Sequence, residues 1–227
     1  MSDEDLLLLK KTLTFWDKLT LDEQEELKRH VHTASYQPGE TIHGGDNNCL
    51  GVLIVKQGCI RSYMLSNKGK DITLYRLYPG EICMLSASCV LSNVTFDIHV
   101  DSESKTEVLV ISSHIFSRLM AENIYVENFS YKATADKFSD VMWAMEQILF
   151  MNFDQRLAIF LLDEANKNNT YTIHLTHEQI AKYMGSAREV VSRMIKYFVS
   201  EGLITSHRGE IKLIDLAKLK KLALQSS

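Results

Sequence analysis

The chain has 227 residues, 45% of them hydrophobic, with a formal net charge of −4. That is room for two globular domains with real cores, and the overall charge is not that of a nucleic-acid binder. No apolar run approaches the ~18–20 residues needed to cross a bilayer, and the stretch 6–9 is too short and too acidic in its flanks for a signal peptide.

Two short helices are predicted first, at 6–13 and 20–30, the second opened by Thr20 and Asp22. From 35 to 111 the apolar runs are short and punctuated by glycine. Strands are predicted at 34–36, 41–42, 51–56, 59–65, 71–77, 81–83, 97–100 and 107–111, with turns at Pro38-Gly39, Gly44-Gly45-Asp46, Gln57-Gly58, Lys68-Gly69-Lys70 and Pro79-Gly80. Many short strands at this spacing indicate an antiparallel sandwich or roll, with an interior large enough for a small ligand.

The four cysteines, Cys49, Cys59, Cys83 and Cys89, form no paired framework, and reduced thiols are expected. Cys83 and Cys89 form a redox pair only if the segment between them turns back. Neither has a basic neighbour to depress its thiol pKa, and a buried cysteine acting as a small hydrophobe is the plainer reading.

A long helix is predicted at 124–150. Tyr131, Thr134, Phe138, Val141, Met145 and Ile148 recur at spacings of three and four, a two-chain seam that only Thr134 breaks. The alternative is a helix packed on its own domain. Phe153 and Asp154 are expected to mark a hinge, with Asp154 capping a helix at 155–167.

The segment 175–204 describes two helices joined by a tight turn. Thr176 with Gln179 makes a capping box, and Ile180, Ala181 and Met184 face inward. Gly185 suits a turn that needs positive φ, and Ser186 is placed to cap a helix beginning at Ala187. Val190, Val191, Met194, Ile195 and Phe198 form the apolar stripe of that second helix, leaving Arg188, Glu189, Ser192 and Arg193 on its other face.

This is a helix-turn-helix pattern, and those four residues are the candidate base readers. Arginine can donate two bonds to guanine, glutamate can accept from cytosine, and serine can serve either. Thr176, His177, Lys196 and Arg208, the last in a wing turn Ser206-His207-Arg208-Gly209, are candidates for phosphate. Charge agrees, because residues 154–227 hold 11 Lys+Arg against 8 Asp+Glu while the preceding 153 hold 14 against 21. An acidic body carrying a basic end implies that only the end meets DNA.

The order of acidic helix, glycine-punctuated roll, long helix and winged helix-turn-helix resembles the CRP/FNR family of bacterial transcription regulators over nearly the whole chain. The most specific matches are Pro38-Gly39-Glu40, Val55-Lys56-Gln57-Gly58-Cys59-Ile60-Arg61, Pro79-Gly80-Glu81 and Arg188-Glu189-Val190-Val191-Ser192-Arg193. The resemblance implies an α+β chain with a cyclic-nucleotide-binding-like β-roll and N-terminal helices at 1–123, a dimerisation helix and hinge at 124–152, and a winged helix-turn-helix at 153–227. It implies base contacts by Arg188, Glu189 and Arg193, with Ser192 matching the FNR branch, and an inverted repeat with TTGA or TTGAT half-sites.

Where effectors are concerned the sequence departs from the family. The run Gly80-Glu81-Ile82-Cys83-Met84-Leu85-Ser86-Ala87-Ser88 lacks the glutamate of the cAMP phosphate cassette, and the expected arginine falls near Phe96-Asp97, so a cyclic phosphate would lack its counter-charge. Cyclic AMP is therefore not expected. No cysteine precedes Cys49, so the N-terminal iron–sulfur cluster of the oxygen-sensing branch is not expected either. Haem stays open, with His30, His32, His43, His99 and Cys83 as axial candidates that no spacing separates. An apolar or neutral ligand beside Met84, Val141, Met142 and Trp143 is the remaining effector reading.

The sequence thus points to a cytoplasmic homodimer that reads double-stranded DNA, with an unidentified small-molecule or redox signal and RNA polymerase as a candidate partner. No catalytic triad, paired carboxylates or metal-ligand spacing stands out; His174 and His177 have no third ligand nearby. An adaptor using the winged helix without DNA is the alternative.

Overall fold

The computed structural model describes residues 1–44, 50–67, 69, 71–84 and 98–224. Cys49, Cys89, the run 85–97, and parts of the predicted turns Gly44-Gly45-Asp46 and Lys68-Gly69-Lys70 lie outside the described residues.

Helices α1 (Asp3–Thr12) and α2 (Leu21–Arg29) both start on capping boxes, Ser2 with Asp5 and Thr20 with Glu23. Each box satisfies two N–H groups that a helix start leaves without partners. Leu9, Leu13 and Leu27 are fully buried.

Eight strands follow: β1 (Val31–Tyr36), β2 (Thr41–Gly44), β3 (Val52–Gln57), β4 (Ile60–Leu65), β5 (Asp71–Leu77), β6 (Ile82–Cys83), β7 (His99–Ser102) and β8 (Thr106–Ile111). They form two four-stranded sheets, ordered β1-β8-β3-β6 and β2-β7-β4-β5. The first strand begins at Val31 rather than Ala34 because antiparallel pairing with β8 runs from Val31 opposite Ile111 to Tyr36 opposite Thr106. Strand β3 lies at the centre of its sheet, and Val52 to Val55 are all fully buried, which is why it reads as a continuous apolar run. At the predicted Gln57-Gly58 turn, Gly58 has φ +86° and a Cβ there would lie 2.5 Å from the Lys105 carbonyl oxygen, so the turn admits only glycine.

Helix α3 (Ser113–Glu122) was not among the predicted elements. No side chain caps it, so its start carries no local signal, but Ile115, Phe116 and Leu119 bury one face against the roll. Helix α4 (Ile124–Phe150) has the predicted bounds. Its two faces differ. Val126 and Ser130 are buried, with Phe129, Ala133 and Val141 packed on the roll's core, while Tyr131, Phe138, Met145 and Ile148 are exposed. Val141 therefore belongs to the face that packs on its own domain, and Thr134 donates its hydroxyl to the Ser130 carbonyl at 2.8 Å.

One compact body comprises Met1–Gly69 and Leu74–Val141, and a second runs from Met142 onward. The second contains α5 (Phe153–Lys167), β9 (Thr172–Ile173), α6 (His177–Tyr183), α7 (Arg188–Ser200), β10 (Ile204–His207), β11 (Glu210–Leu213) and α8 (Leu216–Ala223). Its core gathers Leu157, Leu161, Ile180, Val191, Ile195, Phe198, Ile211 and Leu219. Asp154 does not cap α5. The helix starts one residue before it, with Asn152 at the cap position donating its backbone N–H to Gln155 Oε1 at 3.0 Å, while Asp154 accepts from the Gln155 N–H at 2.9 Å. Only Met151 and Asn152 separate α4 from α5. No helix among the described residues is long and apolar enough to cross a membrane.

Candidate nucleic-acid interface

Helix α6 begins as its sequence predicts. The Thr176 hydroxyl accepts the Gln179 N–H at 3.2 Å, and Gln179 Oε1 accepts the Thr176 N–H at 2.9 Å. Ile180, Ala181 and Met184 are buried. At the other end, Gly185 has φ +60° and Ser186 donates its N–H back to the Ala181 carbonyl at 2.9 Å, a six-to-one closure of the Schellman type. Helix α7 begins at Arg188, so the residue at its cap is Ala187, with no side-chain hydrogen bond. The expected Ser186 cap is thus displaced by one residue.

A third group fixes the turn. Arg156 of α5 donates from its half-buried guanidinium to the Met184 carbonyl at 2.6 Å. Nothing in the local sequence signals this contact, because the partners lie 28 positions apart.

In α7, Val191, Ile195 and Phe198 are buried and Met194 packs beside them. Burial of this stripe forces the opposite surface outward. Arg188, Glu189, Arg193 and Lys196 are exposed and Ser192 is partly exposed. Because residues four apart share a helix face, Arg188, Ser192 and Lys196 make one row and Glu189 with Arg193 the adjacent one. The four candidate base readers therefore project together from the first two turns of one helix.

The wing is a hairpin of β10 and β11, paired from Ile204 opposite Leu213 to His207 opposite Glu210, and β9 adds a third strand beside β11. Arg208 and Gly209 form its two-residue turn, with Gly209 at φ +76°. A cleft of about 530 Å³ opens between the wing turn and the starts of α6 and α7. Thr176, His177, Arg188, His207 and Arg208 are among the residues that line it. Three of the four expected phosphate ligands, Thr176, His177 and Arg208, thus share one cationic recess with the first base reader, while Lys196 stands further along α7. Partial burial holds the His177 imidazole below its ordinary pKa, and the positive charges of Arg188 and Lys196 push it the same way.

The other expected site residues fall elsewhere. Met84 is buried in the roll and Val141 packs on the same core, whereas Met142 and Trp143 are about half exposed. Cys83 is fully buried with its Sγ 4.0 Å from Ser62 Oγ, and Cys89, its partner in the alternative redox reading, lies outside the described residues. Among the haem candidates, His43 is buried, His30 Nδ1 is hydrogen-bonded to the Glu26 carbonyl at 2.9 Å, and His99 stacks on Tyr63 with ring centroids 5.2 Å apart.

Residues 33–123 match the cyclic nucleotide-binding domain family and residues 155–222 the Crp-like helix-turn-helix domain family. A crystal structure from Eubacterium rectale, described as of the crp/fnr family, is 37% identical, covers 93% of this chain and 98% of its own, and superposes with a TM-score of 0.88. FixK2 from Bradyrhizobium japonicum shares the fold at 21% identity, with a TM-score of 0.73 over 87% of this chain and 99% of that one. The transcriptional regulatory protein btr of Bordetella pertussis is 26% identical over 83% of this chain and 80% of its own length. With a nucleotide-binding-type roll followed by a winged helix that presents Arg188, Glu189 and Arg193 outward, the chain belongs to the CRP/FNR family of DNA-binding transcription regulators, which are not enzymes.

Proposed function

We propose that this regulator works as a homodimer on an inverted TTGA-like repeat, under control of a small-molecule or redox signal acting through the roll. Arg188, Glu189, Ser192 and Arg193 read base edges, and Thr176, His177, Lys196 and Arg208 hold phosphates. The observation that carries this reading is the common projection of the four reader side chains from α7 beside a cationic cleft. A helix with such a face enters a major groove, where arginine pairs with guanine N7 and O6 and glutamate accepts from cytosine N4.

Two-fold pairing is supported by the exposed apolar side of α4, where Tyr131, Phe138, Met145 and Ile148 face solvent in the single chain. A dimer places two recognition helices on the two halves of a palindrome. The short connection at Met151 and Asn152 is where a change in the roll and paired helices would reorient the reading heads. An effector drives that change only by binding one arrangement more tightly than the other.

Fluorescence anisotropy of the reduced full chain on a labelled TTGA inverted repeat, beside a scrambled duplex at physiological salt, tests the reading. A preference of at least ~100-fold is expected of a specific binder. Equal affinity for both duplexes overturns the assigned half-site.

A further inference from the structure

We propose that the cleft between α6, α7 and the wing is a proton-linked phosphate seat, in which His177 takes up a proton as a DNA backbone phosphate enters, so that duplex affinity rises as the pH falls from about 8 to about 6. This rests on the DNA-reading function and adds a regulatory input to the same surface. The recess has one anionic group, Glu178, against Arg188 of α7 and Arg208 of the wing, and His207 is its second histidine. Lys196 adds its positive charge from further along α7.

In the empty cleft, partial burial of the His177 imidazole and the positive charges of Arg188 and Lys196 both disfavour its protonated form. A phosphodiester brings one negative charge into the same space. It pairs with the arginines, removes the repulsion felt by His177, and gives the imidazolium an acceptor oxygen for a charge-assisted hydrogen bond. The proton comes from solvent. Binding then carries proton uptake, and linkage requires that affinity rise wherever bound His177 is protonated and free His177 is not. Each pKa unit gained on binding contributes up to about tenfold in affinity per subunit.

The test is anisotropy of the full chain on both the TTGA inverted repeat and the scrambled duplex, at about pH 6, 7 and 8 with constant ionic strength. Wild type is expected to bind both duplexes ~5–10-fold more tightly per subunit at the acid end, since a phosphate contact is indifferent to sequence. His177→Gln removes that slope and His207→Gln keeps it. A flat wild-type profile, a slope that survives His177→Gln, or one lost only in His207→Gln overturns the seat. Sequence preference without a His177-dependent slope overturns this inference and leaves the DNA reading standing; the slope without sequence preference does the reverse; absence of all binding overturns both. Should His177→Gln fail to fold, the imidazole C–H resonance of His177 in the wild type decides: its titration midpoint moves up when duplex is added, and a midpoint that stays put overturns the proposal.

Discussion

The Arg156 guanidinium reaches from α5 to the Met184 carbonyl, 2.6 Å away, and so holds the last residue before the glycine turn of the helix-turn-helix. A helix end leaves its final carbonyls without intrahelical donors, and here one of them is satisfied by a side chain from another helix. Partial burial of Arg156 lowers its pKa, but a guanidinium is not deprotonated in proteins, so the contact is charge-assisted.

Arg156→Ala is expected to cost about 1.5–3 kcal/mol of stability, the scale of a hydrogen bond to a charged group with the carbonyl left unpaired. It should also weaken sequence-specific binding although Arg156 is not among the expected DNA contacts. Thermal unfolding together with anisotropy checks both effects. A destabilised variant that binds the specific duplex with wild-type affinity would show that the bond stabilises the domain without orienting α7.

The split between what was legible in the sequence and what was not follows the range of the interactions. The helix start at Thr20, the capping box at Thr176 and the glycine at 185 are local chemistry, complete within a few residues, and the helices start and turn where that chemistry places them, although the group that closes on Thr20 is Glu23 and not Asp22. Ser186 stands one position too early, because α7 starts at Arg188 rather than Ala187 and the cap position therefore falls to Ala187. Helix α3 was missed because no cap announces it, only the burial of Ile115, Phe116 and Leu119. On α4 a three-and-four repeat does not distinguish a face packed on the roll from one left bare, and Val141, which the spacing places in the seam, packs against the roll's core. Arg156 needed a fold to meet its partner.

Base and phosphate contacts separate by their response to salt. Arg193→Ala is expected to lose about 1–3 kcal/mol of discrimination at one position of the half-site, with little change in affinity for scrambled DNA. Lys196→Ala should weaken binding to both duplexes alike and lower the log–log salt slope by about one phosphate contact per subunit. Anisotropy across a salt series on the two duplexes gives both quantities. If Arg193→Ala weakened both duplexes equally, Arg193 would be a phosphate ligand.

The bare side of α4 predicts a change of assembly. Phe138 is 64% exposed in the single chain, which leaves a large aromatic surface in water on the helix expected to pair. Phe138→Glu puts a charge at that seam twice over, once from each copy, and like charges in a desolvated interface are strongly unfavourable. Light scattering at micromolar concentration should show a dimer for the wild type and a monomer for the variant, with circular dichroism unchanged because Phe138 is not part of the roll's core. A wild-type monomer would remove the seam assignment.

The last prediction concerns the anchoring of α1. Asp5 is buried, and burial alone would raise its carboxyl pKa, but the Lys56 ammonium beside it and hydrogen bonding with Ser2 outweigh that and hold it at about 2 against an ordinary 3.8. Lys56 Nζ lies 2.9 Å from Asp5 and 3.0 Å from Glu107, so one ammonium joins α1 to β3 and β8. Because the native pKa is below the unfolded one, the unfolded chain takes the proton first. The stability from this group is complete above about pH 4 and is lost as the pH falls through about 2. Its size is on the order of 2 kcal/mol. Asp5→Asn keeps the shape and removes the charge, so its stability relative to wild type should be lower at neutral pH and converge with it in acid. Urea unfolding at about pH 7, 4 and 2.5 measures the difference. A gap between the two proteins that stays constant down to the most acid point would show that the Asp5 carboxylate is not held by Lys56 in solution.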